Sequence, residues 1–270
     1  MMIRAVRTSC ATLLAGLVLA VAVGVPVATP ASAEATTDYK PCPAYSKKVD
    51  LLVLMDQSGS LKTSDDSGQR AVALQRVGLE LGELENVRLA IVGFKGEPVG
   101  PGESEDDYKS RVHRKFASLA TQPLDEAAIR EATVDDGNRT DYLAGLEAAL
   151  GEFETDSDGD ACRVLVFFTD GLYDPLPGRT DSEAAVAEGI FRPLACTGTD
   201  NYKSVKDRLL ALNIQTYAVL LQQGFQADSA HEQRMADVSL QVLRGLTGDD
   251  KSPIVAGLTR DGDPCSRLSG

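Results

Sequence analysis

The chain has 270 residues, 40 of them Asp or Glu against 27 Lys or Arg, giving a formal net charge of −13. Hydrophobic residues at 43% and charged residues at 25% are the proportions of a folded globular chain and exclude disorder driven by charge. The acidic balance, without a visible Lys/Arg cluster, argues against nucleic acid as a partner, because phosphate binding rests on clustered basic side chains. The two histidines, His113 and His231, are too few for a mechanism that needs several imidazoles, and their polar sequence surroundings predict surface positions.

Residues 1–33 read as a secretory signal peptide. Arg4 and Arg7 supply a positive start, Ala11 to Val25 is an uncharged apolar run, and Ala31-Ser32-Ala33 is a small-residue cleavage site. Residues 34–47, with Pro41 and Pro43, read as a polar lead-in, residues 48–260 as one domain, and 261–270 as a tail. No later stretch of about 18 apolar residues is present, so no membrane span is expected after cleavage. The expectation is an exported product, secreted or held in the cell envelope. In an oxidising compartment Cys42, Cys162, Cys196 and Cys265 suggest two disulfides, with three pairings open.

Along the domain, Val49 to Met55 is a nearly continuous apolar run ending at Asp56, the pattern of a strand buried on both faces of a parallel sheet. Leu74, Val77, Leu81 and Leu84 mark one face of a helix, and Val87 to Phe94 is a second strand. Residues 95–110 read as a loop, Val112 to Leu119 as an edge strand, and Asp125 to Ala132 as a short helix. Leu143, Leu146, Leu150 and Phe153 give another helical stripe, and Val164 to Phe168 a third buried strand that ends at Thr169-Asp170-Gly171. A short helix is expected near Ala184 to Ile190. It is followed by a helix marked by Val205, Leu209 and Leu212, and by a strand over Ile214 to Leu221. Met235, Val238, Val242 and Leu246 mark a further helix, and Ile254 to Leu258 the last strand candidate. Strands alternating with amphipathic helices predict an α/β fold with a doubly wound, mostly parallel, Rossmann-like sheet, helices covering both faces. Ligands of such sheets sit beyond the carboxyl ends of the strands, where the strand order reverses.

That rule directs attention to the acids at strand ends. Asp56-Gln57-Ser58-Gly59-Ser60 follows the first strand, Asp170 ends another, and Thr140 lies in the loop that opens the helix beginning near Leu143. If the strands ending at Asp56 and Asp170 are neighbours, two carboxylates and three hydroxyls converge on one crevice. Such a set, with no sulfur or imidazole, suits the hard cations Mg2+, Mn2+ or Ca2+ and not zinc or copper.

Asp56-x-Ser58-x-Ser60 after an apolar strand, Thr140 before a helix, and Phe167-Phe168-Thr169-Asp170-Gly171 together resemble the von Willebrand factor type A (VWA) domain and its metal-ion-dependent adhesion site (MIDAS). The likeness spans roughly Val49 to Leu258. It implies that Ser58, Ser60 and Thr140 ligate the metal directly, with Asp56 and Asp170 acting through ordered water or as acceptors behind them. It also implies one antiparallel edge strand, which suits Val112–Leu119. The family's closing helix is not recognisable after Leu258, so affinity switching through that helix is not implied, and the chain also reads as a portion of a longer anchored protein. Against this frame Cys42 and Cys162, each preceding a strand, belong at the bottom of the sheet, which favours the pairs Cys42–Cys162 and Cys196–Cys265.

The expected function is a secreted, non-enzymatic adhesion module. A divalent cation, Mg2+ first, would let this acidic chain capture a carboxylate of a protein partner. Metal-assisted hydrolysis is the enzymatic alternative, but no general base stands near the proposed site and Ser58 lacks a nucleophile-elbow setting. An envelope protein with a merely stabilising metal is the structural alternative. Asp156 to Asp160 starts like a calcium loop but has Ala161 where that loop needs Gly and Phe167 where it needs Glu, so it reads as a solvated turn. The pattern Asn138-Arg139-Thr140 is a glycosylation sequon, set aside because a glycan there would crowd the metal site. The loops 97–107 and 172–201 are the expected specificity determinants.

Overall fold

The computed structural model describes residues 48–96, 110–135, 139–171, 192–195, 203–221 and 230–247. The expected leader and lead-in, Cys42, Cys196 and Cys265, the specificity loop 97–107, the specificity loop 172–201 apart from residues 192–195, the helix near 184–190, the strand at 254–258, the tail and the side chain of His231 lie outside the described residues.

Among the described residues five strands form one sheet: Val49–Asp56 (β1), Val87–Phe94 (β2), Ser110–Ser118 (β3), Cys162–Thr169 (β4) and Ile214–Leu220 (β5). Their order is β3-β2-β1-β4-β5. β1 pairs in parallel with β2 on one side and β4 on the other, β4 pairs in parallel with β5, and β3 runs antiparallel to β2. The helices among the described residues are Leu61–Ser64 (α1), Gln69–Leu81 (α2), Glu126–Ala132 (α3), Tyr142–Asp156 (α4), Arg192–Leu194 (α5), Val205–Ala211 (α6) and Ala230–Thr247 (α7).

The two-residue period of each strand sorts its side chains into two cores. Leu52 and Leu54 of β1, Ala90, Val92 and Phe94 of β2 and Leu165 and Phe167 of β4 pack with α4, α6 and α7. Leu51, Val53 and Met55, with Leu89, Ile91, Val164 and Val166, pack with α2 and α3 on the opposite face. Helices therefore cover both faces, and all eight residues of β1 are buried. This is why β1 reads as an apolar run instead of an alternating one.

The expected elements that fall within the described residues all form, with shifted ends. Leu84 lies outside α2: the helix stops at Leu81 before Gly82, and the Leu84 N–H closes a turn on the Leu81 carbonyl at 3.0 Å. β3 ends at Ser118, leaving Leu119 buried in the turn that follows. His113 departs from its expected surface position. It is half-buried on β3, and among the described residues neither ring nitrogen meets a hydrogen-bond partner. The absent side chain of Gly93 leaves room for it, since a Cβ there would lie 2.5 Å from His113 Nε2.

At the amino ends of the strands, buried Asp50 takes two hydrogen bonds of 2.7 Å from Arg88, one of 2.7 Å from the Ser157 hydroxyl and one of 2.8 Å from the Asp158 N–H. The acidic turn at 156–160 is thus a latch on the sheet, tied also by Lys48 to Asp158 at 2.5 Å. Cys162 opens β4 beside this turn and is disulfide-bonded. No helix among the described residues is long and apolar enough to cross a membrane.

Candidate functional site

The strand order reverses between β1 and β4: the chain leaves β1 toward β2 on one side, while β4 and β5 extend the sheet on the other. Asp56 ends β1 and Asp170 directly follows β4, so two acids stand at the carboxyl edge of adjacent parallel strands. Asp56 is fully buried and Asp170 is 1% exposed.

Asp56 is held by neutral donors. Its Oδ1 accepts from the Ser58 N–H at 2.8 Å, and its Oδ2 accepts from the Thr169 hydroxyl at 2.7 Å. Burial, and then the charge of Asp170, push its carboxyl from 3.8 up to about 7, while the hydrogen bonds from Ser58 and Thr169 pull the other way. The Thr169 hydroxyl accepts in turn from the Gly171 N–H at 3.1 Å and lies 3.0 Å from the Tyr142 hydroxyl. Gly171 takes a φ of 86°, a left-handed turn that glycine enters without steric cost. Tyr142 is buried, and burial together with the charges of Asp56 and Asp170 pushes its hydroxyl well above the ordinary tyrosine range, so it remains a donor.

The hydroxyls come from the loop after β1. Ser58 and Ser60 place their Oγ atoms 3.1 Å apart. The short helix α1 then carries Ser64 back toward the same place. The Ser64 hydroxyl lies 3.1 Å from Asp170 Oδ2 and 3.2 Å from the Ser60 carbonyl. Thr140 is buried at 2% exposure, in the loop before α4 and two residues ahead of Tyr142. Asp141 caps α4 by accepting from the Leu143 N–H at 3.0 Å, which fixes where Thr140 and Tyr142 leave the loop.

The structure thus joins Asp56, Ser58, Ser60 and Asp170 in one cluster and buries Thr140 in the adjoining loop. Sequence reasoning missed Ser64, Thr169 and Tyr142. Thr169 was readable from its place beside Asp170. Ser64 was readable from its spacing of four after Ser60, which returns a side chain to the same helical face. The donors are all oxygens, and among the described residues no group of three or more His, Cys, Asp and Glu side chains is gathered to hold a metal.

No protein-family profile matches the chain, and no curated protein matches it. Solved structures with some likeness include the pilus adhesin SpaC from Lactobacillus rhamnosus GG in its open conformation, 14% identical at a TM-score of 0.43, over 73% of this chain and 26% of that one. Proximal thread matrix protein 1 from the mussel byssus is 13% identical at a TM-score of 0.41, over 74% of this chain and 39% of that one. Three N-terminal domains of the type V pili tip protein Mfa5 from Porphyromonas gingivalis give 18% identity and a TM-score of 0.33, over 57% of this chain and 28% of that one. The chain therefore spans well under half the length of each of these proteins, and likenesses this distant identify neither its family nor its function.

Proposed function

We propose that this chain is a VWA-type binding module, not an enzyme, whose carboxyl-edge cluster holds a divalent cation, Mg2+ first, and uses it to capture an acidic group of a protein partner outside the cell. The observation that carries the reading is the convergence of Asp56 and Asp170, both buried, at the ends of adjacent strands with hydroxyls beside them. Two buried carboxylates brought together by the fold repel one another, and a dication between them removes that cost.

The residues fit such an ion. Mg2+ takes oxygen ligands at 2.0–2.1 Å in an octahedron, which sets neighbouring ligands about 2.9 Å apart. The Ser58 and Ser60 hydroxyls, 3.1 Å apart, are near that spacing without rearrangement. Ser58, Ser60 and Thr140 would hold the ion, with Asp56 and Asp170 balancing its charge. When bound, the ion supplies a Lewis-acidic coordination position for an outside carboxylate. The chain's own part is to keep the carboxylates oriented: the Ser58 N–H and the Thr169 hydroxyl, itself met by the Tyr142 hydroxyl, anchor Asp56, and the Ser64 hydroxyl meets Asp170.

Isothermal titration of the metal-free protein with MgCl2 and MnCl2 is expected to show one site, lost in Asp56→Ala and weakened in Ser60→Ala. Absence of binding in the folded wild-type protein overturns the reading. Binding to an acidic protein partner should then vanish in EDTA and return on adding Mg2+. The disulfide pairs Cys42–Cys162 and Cys196–Cys265 belong to the same proposal for an exported chain, and peptide mapping without reduction tests them.

A further inference from the structure

Arg70, in the first turn of α2, is an arginine with no part in the ligand set, yet it is 1% exposed and among the largest fully buried side chains. A guanidinium never loses its charge in a protein, so burying one demands partners for its donors. Its Nε donates to Asp65 Oδ2 at 2.7 Å, and one terminal nitrogen donates to the main-chain carbonyl of Asp56 at 2.5 Å. The other terminal nitrogen donates to the Asp135 carboxylate and, at 3.4 Å, to the Thr133 carbonyl.

These partners lie on three separate segments. Asp56 heads the loop that carries Ser58 and Ser60. Asp65 directly follows Ser64, whose hydroxyl meets Asp170, and caps α2 by accepting from the Gln69 N–H at 2.6 Å. Asp135 follows α3 and stands five residues ahead of Thr140 in the chain. One rigid, planar fork therefore ties the loop that carries Ser58 and Ser60 to the Ser64–Asp65 turn and to the end of α3.

We infer that Arg70 is a positioning residue for the carboxyl-edge cation site, holding the Asp56 loop and the Ser64–Asp65 turn in one register against the end of α3 so that the oxygens stand ready before the ion arrives. The inference rests on the metal reading above. It assigns to Arg70 a contribution to cation affinity that is separable from its contribution to folding. Lysine keeps the charge but not the fork, so Arg70→Lys tests geometry and not charge. Arg88 is the control: it makes a comparable two-bond contact, with Asp50, at the opposite end of β1, remote from the site.

The experiment is calorimetric titration of Mg2+ and Mn2+ into the purified metal-free wild-type, Arg70→Lys, Asp135→Asn and Arg88→Met proteins, with circular dichroism and melting in EDTA as the fold check. Groups behind a metal's direct ligands commonly change affinity about 10- to 100-fold. The expected result is a loss of at least about 10-fold in Arg70→Lys, a smaller loss in Asp135→Asn, and wild-type affinity in Arg88→Met despite its lower melting temperature. Wild-type affinity in a folded Arg70→Lys protein overturns the inference, as does an equal loss in Arg88→Met. If Arg70→Lys does not fold, Asp135→Asn decides, and unchanged affinity there overturns it. A folded wild-type protein that binds neither ion fails at the earlier step, and the positioning role falls with the site.

Discussion

Asp56 sets the pH behaviour of the site. Its carboxyl is raised from 3.8 to about 7 in the folded, metal-free protein, by burial first and by Asp170 second. Between those two values the folded state holds a proton that the unfolded chain has released. Stability from this group therefore falls as pH rises through that window and is lowest above pH 7. The expected outcome is a melting temperature in EDTA that drops from pH 5 to pH 8 more steeply in wild type than in Asp56→Asn, followed by calorimetry. Equal slopes would refute the assignment. Saturating Mg2+ should flatten the wild-type curve, because an ion that replaces the proton binds more tightly as pH rises. Ser64 offers a second test at this scale. Ser64→Ala removes the hydroxyl that meets Asp170 and is expected to weaken Mg2+ binding several-fold, about 1 kcal/mol, with the ligand set intact.

The elements place these residues through close packing. Gly145 of α4 lies against β2 so tightly that a Cβ there would fall 2.6 Å from Phe94 Cγ. Phe94, Tyr142 and Phe167 pack edge to face around this contact, with ring centroids 5.0 to 6.0 Å apart. Gly145→Ala is therefore expected to cost about 1–3 kcal/mol in chemical denaturation, as overpacking does. Because α4 carries Tyr142 and follows Thr140, the same variant should also weaken cation binding. Gly151, farther along α4, has open space around its Cα, and Gly151→Ala should stabilise the protein slightly.

The same elements show what was readable beforehand. β1, β2 and β4 were legible because strands buried on both faces spell apolar runs. The meeting of Asp56 and Asp170 was legible because the connection rules of parallel sheets put those strand ends together. His113 was not, because its burial comes from Gly93 on the neighbouring strand and not from its own polar sequence neighbours. Arg70 was not, because four of its hydrogen bonds reach Asp56, Asp65, Thr133 and Asp135, partners that only the folded chain assembles.

For the whole molecule, cation binding and folding should be linked. An ion that binds only the folded state stabilises it by about 2.7 kcal/mol at 100 times its dissociation constant. For a domain of this size that corresponds to roughly 5–10 °C in melting temperature. Thermal melts with and without EDTA check this, and no shift at saturating Mg2+ would contradict a site built into the carboxyl edge. The net charge of −13 adds a second expectation. Raising monovalent salt should stabilise the metal-free protein by screening its self-repulsion, with a weaker effect once the dication is bound.

β1 carries an aspartate at each end, and both are fully buried. Asp50 has Arg88 as a counter-charge within the polypeptide, whereas the donors to the Asp56 carboxylate among the described residues are neutral. One pole of the strand is self-sufficient and indifferent to the surrounding fluid. On the proposed cation reading the other would depend on what that fluid delivers, giving a single buried strand a maintenance end and a sensing end.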